Sequence, residues 1–250
     1  MHLTRVTITG AGDATSVEAL ADLSGEYGFV EWGILVSNQP DRGRRFPGPG
    51  WIEQFAAMAS ARKCQVSTHV CGPWVRQILE GTIHWDELPV CVGVSERLQI
   101  NAHSEPPASA TGLLKSLGGF HQEFIFPWDD PRNSRNHHLA LAAKAAGHKT
   151  AVLFDGSGGT GTLPASWPAP AREFWCGYAG GLGPHNVVAE VRKIERVCNQ
   201  PYWIDMERRV RTNDDRLDLT AVRSVLKAVA DLLGPDGRDV NGSAREARGS

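Results

Sequence analysis

The stretch Thr150-Ala151-Val152-Leu153-Phe154-Asp155-Gly156-Ser157-Gly158-Gly159-Thr160-Gly161 is a compact apolar run that ends in a carboxylate and a glycine-rich loop. A short run that is apolar throughout, rather than at alternate positions, fits a strand of a parallel sheet covered on both faces. Parallel strands need long return connections, usually helical, and the flanking sequence supplies them. Upstream, 5–9, 29–36, 64–70, 97–101 and 121–126 read as strands; downstream, 174–178 and 202–206 do. Between them lie helical stripes. Thr15 and Glu18 have capping-box spacing ahead of Val17, Leu20, Ala21 and Leu23. Trp51, Ile52, Phe55 and Met58 make a second stripe, and 73–79, 110–117 and 134–146 make three more, the last closed by Gly147. Asp218 is placed to cap a final helix with Val222, Val225, Leu226, Val229 and Leu233 on one face. Strand–helix alternation repeated eight times predicts an α/β protein built as a single (β/α)8 TIM barrel with parallel strands over residues 1–234. An open doubly wound sheet is the competing arrangement. Residues 235–250 are polar and rich in Gly and Arg, and read as a disordered tail.

The chain has 250 residues, 41% hydrophobic and 22% charged, a length ordinary for one such barrel. Its formal net charge of −2 gives no reason to expect a nucleic-acid partner. No apolar run approaches the roughly 18 residues of a membrane span, and the N-terminus has no signal-peptide core. Five cysteines, odd in number and irregularly spaced, with no C-x-x-C pair, fit reduced thiols in a cytoplasmic protein. The oligomeric state is left open.

Two loops carry the chemistry. Asp155 falls at the C-terminal end of its strand, the catalytic face of a barrel, and the glycines after it let a backbone approach an anion. Gly156, Gly158 and Gly161 fit G-x-G-x-x-G literally, but the dinucleotide fingerprint needs a helix opening at that loop, and Pro164, Pro168 and Pro170 follow instead. No lysine follows Gly161, so the loop is not a Walker motif either. No cofactor is expected. The second loop, Tyr178-Ala179-Gly180-Gly181-Leu182-Gly183-Pro184, joins a strand to a helix with Pro184 at the expected first helical position, a ready anion site. Each loop alone is also explained by a tight turn.

Together these residues resemble the phosphoribosylanthranilate isomerase family, which has an Asp followed by G-G-[TS]-G and then A-G-G-L with a Pro and an Asn beyond. This chain has Asp155, Gly158-Gly159-Thr160-Gly161, Ala179-Gly180-Gly181-Leu182, Pro184 and Asn186. The similarity extends weakly over most of residues 4–233. The resemblance implies an isomerase of the Amadori, aldose–ketose type acting on a phosphorylated sugar or phosphoribosyl conjugate. In it Asp155 is the general acid. Gly158, Gly159, Gly161, Gly180 and Gly181, with Arg208 or Arg209, hold phosphate, and Arg45 holds a second anionic group. The family's catalytic cysteine maps to Thr9, its strand-four histidine to Asn101, and its Ser-Ser-Gly to Glu207-Arg208-Arg209. A threonine hydroxyl is scarcely ionised at neutral pH and does not replace a thiolate base unaided. The alternatives are a phosphate-binding barrel without catalysis, or different chemistry on the same scaffold.

His69 and His103 are candidates for the missing base. A metal site from His69, His103 and Asp205 has no ligand spacing to support it, and no metal is expected. Arg42, Arg44 and Arg45 in one loop suit an anionic substrate. Trp32, Trp51, Trp74 and Trp203 read as core.

Overall fold

The computed structural model describes residues 1–39, 43–102, 110–128 and 136–234. The strands are β1 (Leu3–Thr9), β2 (Val30–Val36), β3 (Gln65–Val70), β4 (Arg97–Ile100), β5 (Glu123–Trp128), β6 (Thr150–Phe154), β7 (Trp175–Ala179) and β8 (Tyr202–Met206). They close in sequence order, every neighbour parallel, with β1 pairing back to β8. The helices are α1 (Val17–Glu26), α2 (Pro49–Arg62), α3 (Pro73–Glu80), α4 (Cys91–Val94), α5 (Ala110–Leu117), α6 (His137–Ala145), α7 (Val187–Val197) and α8 (Leu219–Leu233), with 3-10 turns at Trp85–Glu87 and Arg208–Val210. This is the expected (β/α)8 barrel. The proposed tail, 235–250, lies outside the described residues, as do Arg42 and His103.

Local differences have local causes. The N-cap of α1 is Ser16, not Thr15: its Oγ accepts from Ala19 N, while the Thr15 hydroxyl is turned back to accept from Gly12 N. The expected start of α7 at Pro184 is displaced to Val187, because the Asn186 side chain ties Gly183 N and Gly181 O into a turn first. β5 runs two residues further than expected, carrying Trp128 into register with Phe154. Between β6 and β7 the alternation fails. Residues 155–174 contain no helix, consistent with the three prolines. Trp167 and Phe174 cover the sheet in its place, meeting the rings of Tyr178 and Trp128 edge-on. The Trp167 indole donates to Glu190 Oε2 on α7 at 2.9 Å.

Successive strand residues point to opposite faces. On β1, Val6 and Ile8 join the apolar shell beneath the helices, while Thr7 and Thr9 turn into the barrel. The interior is divided. On the β5–β8 side a small apolar cluster forms from Ile125, Ala151, Leu153, Ala179 and Trp203. The β1–β4 side is polar. Arg97, nearly inaccessible to solvent, donates from Nε to Glu31 Oε1 at 2.9 Å and from Nη2 to Glu31 Oε2 and Thr7 Oγ1. Thr7 and Arg5 also donate to Glu31, at 2.7 and 2.8 Å. The guanidinium lies over the rings of Trp203 and Trp175, 4.3 and 4.7 Å from their centroids. Burial penalises the Glu31 carboxylate, but the charges of Arg97 and Arg5 more than offset this and hold it at about 2.

Removing one member of a buried pair strands the other's charge, at a cost of about 3–5 kcal/mol. Glu31→Gln should lower unfolding stability in urea by that order, and Glu31→Leu combined with Arg97→Met should recover much of the loss. In the wild type, Glu31's contribution is present above the ordinary glutamate value of 4.5 and disappears as pH falls toward about 2. A Glu31→Gln protein as stable as wild type at pH 7 would show that the pair does not hold the barrel floor.

Candidate active site

A cavity of about 280 Å³ opens at the C-terminal ends of the strands. Thr9, Arg45, Asn101, Asp155, Gly159, Gly161, Gly180, Gly181, Arg208 and Arg209 all line it; of the residues singled out in the sequence, Gly158 sits in the same loop without lining the wall. His69 and Asp205 line it as well. Strand ends and βα loops on one rim are where barrels place their chemistry.

The two glycine loops differ in what they offer. Asp155 organises the first: Oδ1 accepts from Ser157 N and Ser157 Oγ at 3.1 and 2.6 Å, and Oδ2 from Gly159 N at 3.0 Å. Gly158 N and Thr160 N bond to Asp155 O and Ser157 O, and Gly161 N to Ser157 Oγ. The N–H groups of residues 158–161 are therefore directed back into their own loop. Arg208 closes it from outside, donating from Nε to Gly159 O at 2.9 Å. In the second loop, the N–H groups of Gly181 and Leu182 meet no acceptor among the described residues. Gly181 has φ +66°, and a Cβ there would stand 2.6 Å from Leu163 N, so no side chain fits this turn.

The two described arginines of the long β2–α2 loop, Arg44 and Arg45, are already paired. Arg45 donates to Glu207 and, at 3.1 Å, to Asp215; Arg44 is 3.7 Å from Asp214. Burial raises the Glu207 carboxyl above its ordinary value, opposed by Arg45 and Arg211. Asn101 accepts from Gln99 Nε2 at 2.7 Å and donates to Cys71 Sγ at 3.0 Å. Burial keeps Cys71 a thiol, pushed up to about 11.

The polar base of the pocket is built from the ends of β1, β2, β3, β4 and β8. Asp205, 5% exposed, accepts from the Thr9 hydroxyl at 2.9 Å through Oδ1. Its Oδ2 stands 3.9 Å from His69 Nε2, a buried nitrogen with no hydrogen-bond partner among the described residues. Gln99 Oε1 is likewise buried and unpartnered. Gly33 makes the arrangement possible: a Cβ on it would lie 2.2 Å from Thr9 Oγ1 and 3.0 Å from His69 Cε1. Burial pushes Asp205 up to about 8; the Thr9 hydrogen bond works against the rise, Glu207 and Glu31 add to it, and Arg97 opposes it. Burial holds His69 down at about 4. Near pH 7 both groups are therefore mostly uncharged, and their contact is not an ion pair. The signal for Asp205 was present in the sequence, an aspartate closing an apolar strand as Asp155 does, but its burial and partners were not.

No protein-family model matches the chain, and no curated protein matches its sequence. Among solved structures, the chain is similar to phosphoribosyl anthranilate isomerase from Thermus thermophilus, at 19% identity over 91% of this chain and 99% of that one, with a TM-score of 0.55. It is also similar to a truncated 3-deoxy-D-arabino-heptulosonate 7-phosphate synthase from Thermotoga maritima, at 15% identity over 94% and 88%, TM-score 0.58. A third is orotidine 5'-monophosphate decarboxylase from Methanocaldococcus jannaschii, at 8% identity over 91% and 99%, TM-score 0.50. At these identities the likeness shows the fold.

A carboxyl whose pKa is raised on folding binds its proton more tightly in the native state. Asp205 therefore adds stability that is complete below its ordinary value of 3.8 and is lost as pH rises toward about 8. His69 acts in the opposite sense, costing stability as pH falls from 6.5 to about 4, so the clean window for Asp205 is pH 6.5–8. Across it, wild-type unfolding free energy should fall by about 1.5 kcal/mol more than that of Asp205→Asn. Parallel pH profiles for the two proteins would refute the buried neutral acid.

Proposed function

We propose that the protein is an enzyme acting on a small phosphorylated substrate, a phosphosugar or phosphoribosyl conjugate, by the proton transfers of an aldose–ketose isomerisation. The observation that carries the reading is one cavity with two unlike kinds of lining group. Its lining brings together Arg208, Arg209 and the Gly181 and Leu182 N–H groups, which have no acceptor among the described residues, with the carboxyls of Asp205 and Asp155 and with His69 Nε2 and Gln99 Oε1, buried and unpartnered among the described residues. Cationic side chains and free backbone N–H groups in a concave site suit a phosphate. Unpaired buried acceptors and donors are costly unless a ligand answers them. The volume lies at the small end of ligand pockets, in keeping with a single phosphosugar rather than a dinucleotide.

In this reading the phosphate sits against Gly180 and Gly181, with Arg209 and the Arg208 side chain closing over it. Gly158, Gly159 and Gly161 let the Asp155 loop come close enough to form the wall, and Asp155 holds that loop in shape. A second anionic group on the substrate competes with Glu207 for Arg45; Glu207, its pKa already raised by burial, can release the arginine by taking up a proton. The three similar solved structures are of proteins named for phosphorylated compounds, which agrees with this assignment.

The test is ligand stabilisation and turnover with defined probes. Inorganic phosphate and ribose 5-phosphate should each raise the melting temperature of the wild type, as any ligand of the native state does. Arg209→Glu, at an exposed position, should leave the unliganded melting temperature nearly unchanged and weaken ribose 5-phosphate binding at least tenfold. Equal binding by wild type and Arg209→Glu would remove phosphate from this wall. Binding by the wild type without conversion of ribose 5-phosphate or phosphoribosylanthranilate to its ketose would favour the non-catalytic barrel.

A further inference from the structure

Resting on the phosphosugar reading, we propose that Asp205 is the single acid–base group of the pocket, giving a proton to the substrate and taking one back, with Thr9 as its positioning residue. The position where a thiolate was expected holds a hydroxyl, and that hydroxyl is not free: it is spent on Asp205 Oδ1 at 2.9 Å. The strand-one side chain thus hands its place to a carboxyl arriving from β8. Of the other carboxyls lining the cavity, Asp155 accepts three hydrogen bonds from its own loop and Glu207 is paired with Arg45. Among the described residues Asp205 accepts one, and its second oxygen stands 3.9 Å from His69 Nε2, itself unpartnered there.

The surroundings fit a group that must be neutral at rest and charged in passing. From β1 comes the Thr9 hydroxyl, from β3 the neutral His69, and from the end of its own strand Glu207. Glu31 on β2 and Arg97 on β4 act from the layer below with opposite signs, and β6 brings Asp155 to the same cavity. β7 contributes the apolar Ala179. The acidity that results, near 8, lies close to the working range, where one group serves both as acid and as base.

The proton balance closes on this one residue. Asp205 gives its proton to the ring oxygen of the bound aldose derivative. The C1–O bond breaks with its electron pair staying on that oxygen, and a lone pair from the heteroatom remaining on C1 forms the new double bond. Asp205 is now a carboxylate, stabilised by the Thr9 hydroxyl. It takes the proton from C2; the C2–H pair becomes a C1–C2 double bond, and the C1–heteroatom pair returns to the heteroatom. Asp205 ends protonated, as it began, and the enol is one tautomerisation from the ketose.

Two readouts test this. Infrared spectra of the ligand-free protein should show a protonated carboxyl band that persists at pH 6, titrates with a midpoint near 8 and is missing from Asp205→Asn. Thr9→Val should move that midpoint upward, because the carboxylate loses its hydrogen bond, and Thr9→Ser should restore it. A midpoint in the ordinary carboxylate range, or one indifferent to Thr9→Val, overturns the assignment without reference to any substrate. In heavy water, wild type should exchange the C2 proton of bound ribose 5-phosphate for deuterium, and Asp205→Asn should bind the same probe equally well while exchanging it at least 10²-fold more slowly. Undiminished exchange by Asp205→Asn strikes the role of Asp205 and leaves the phosphate reading standing. Failure of the wild type to bind ribose 5-phosphate strikes the phosphate reading, and this inference falls with it.

Discussion

Arg97 enters the barrel from β4 and sets its charge first of all against Glu31 from β2, and the side chains around that contact complete the polar half of the interior. The pair is seated by Thr7 and Arg5 from β1 and roofed on one side by the indoles of Trp203 and Trp175. A closed eight-stranded barrel has to be filled by its inward side chains. Here one half of the lower interior is filled by an ion pair and the other by Ile125, Ala151, Leu153 and the Trp203 ring. In the layer above, burial of the side chains themselves is what holds Asp205 protonated and His69 unprotonated.

The same separation of layers explains why the functional groups fall on one rim. Each strand delivers alternate residues to the interior, so Thr7 and Thr9, Glu31 and Gly33, or Trp203 and Asp205 are two residues apart in sequence and one layer apart in space. The lower member of each pair builds the floor, and the upper one builds the pocket. Gly33 is the clearest case: its missing side chain is the space occupied by Thr9 Oγ1 and His69 Cε1. Above the floor, the loops after β6, β7 and β8 interlock, with Arg208 holding Gly159 and Asn186 holding the Gly181–Gly183 turn. The pocket wall is thus assembled from loops that brace one another.

The sequence by itself determined the strands, nearly all the helices, the order in which they occur and the end of the barrel at which the glycine loops lie. Those features follow from periodicity, capping residues and proline placement, all of them local. It also marked Asp155 and the two glycine loops, because loops of unusual composition at strand ends are visible without any partner. What it did not disclose were the pairings. Glu31 and Arg97 are 66 residues apart, and Thr9 and Asp205 are 196 apart, so closure of the barrel alone brings them within hydrogen-bond distance. Arg45 read as a holder of a second anionic group; tertiary contact adds Glu207 and Asp215 as its partners within the chain. The loop N–H groups at 158–161 read as anion donors, but the Asp155 and Ser157 side chains and backbone claim them. Protonation states belong to the same class. An aspartate on a strand is a carboxylate in any sequence, and only burial between β1, β3 and β8, which desolvates the charged form, decided that Asp205 keeps its proton.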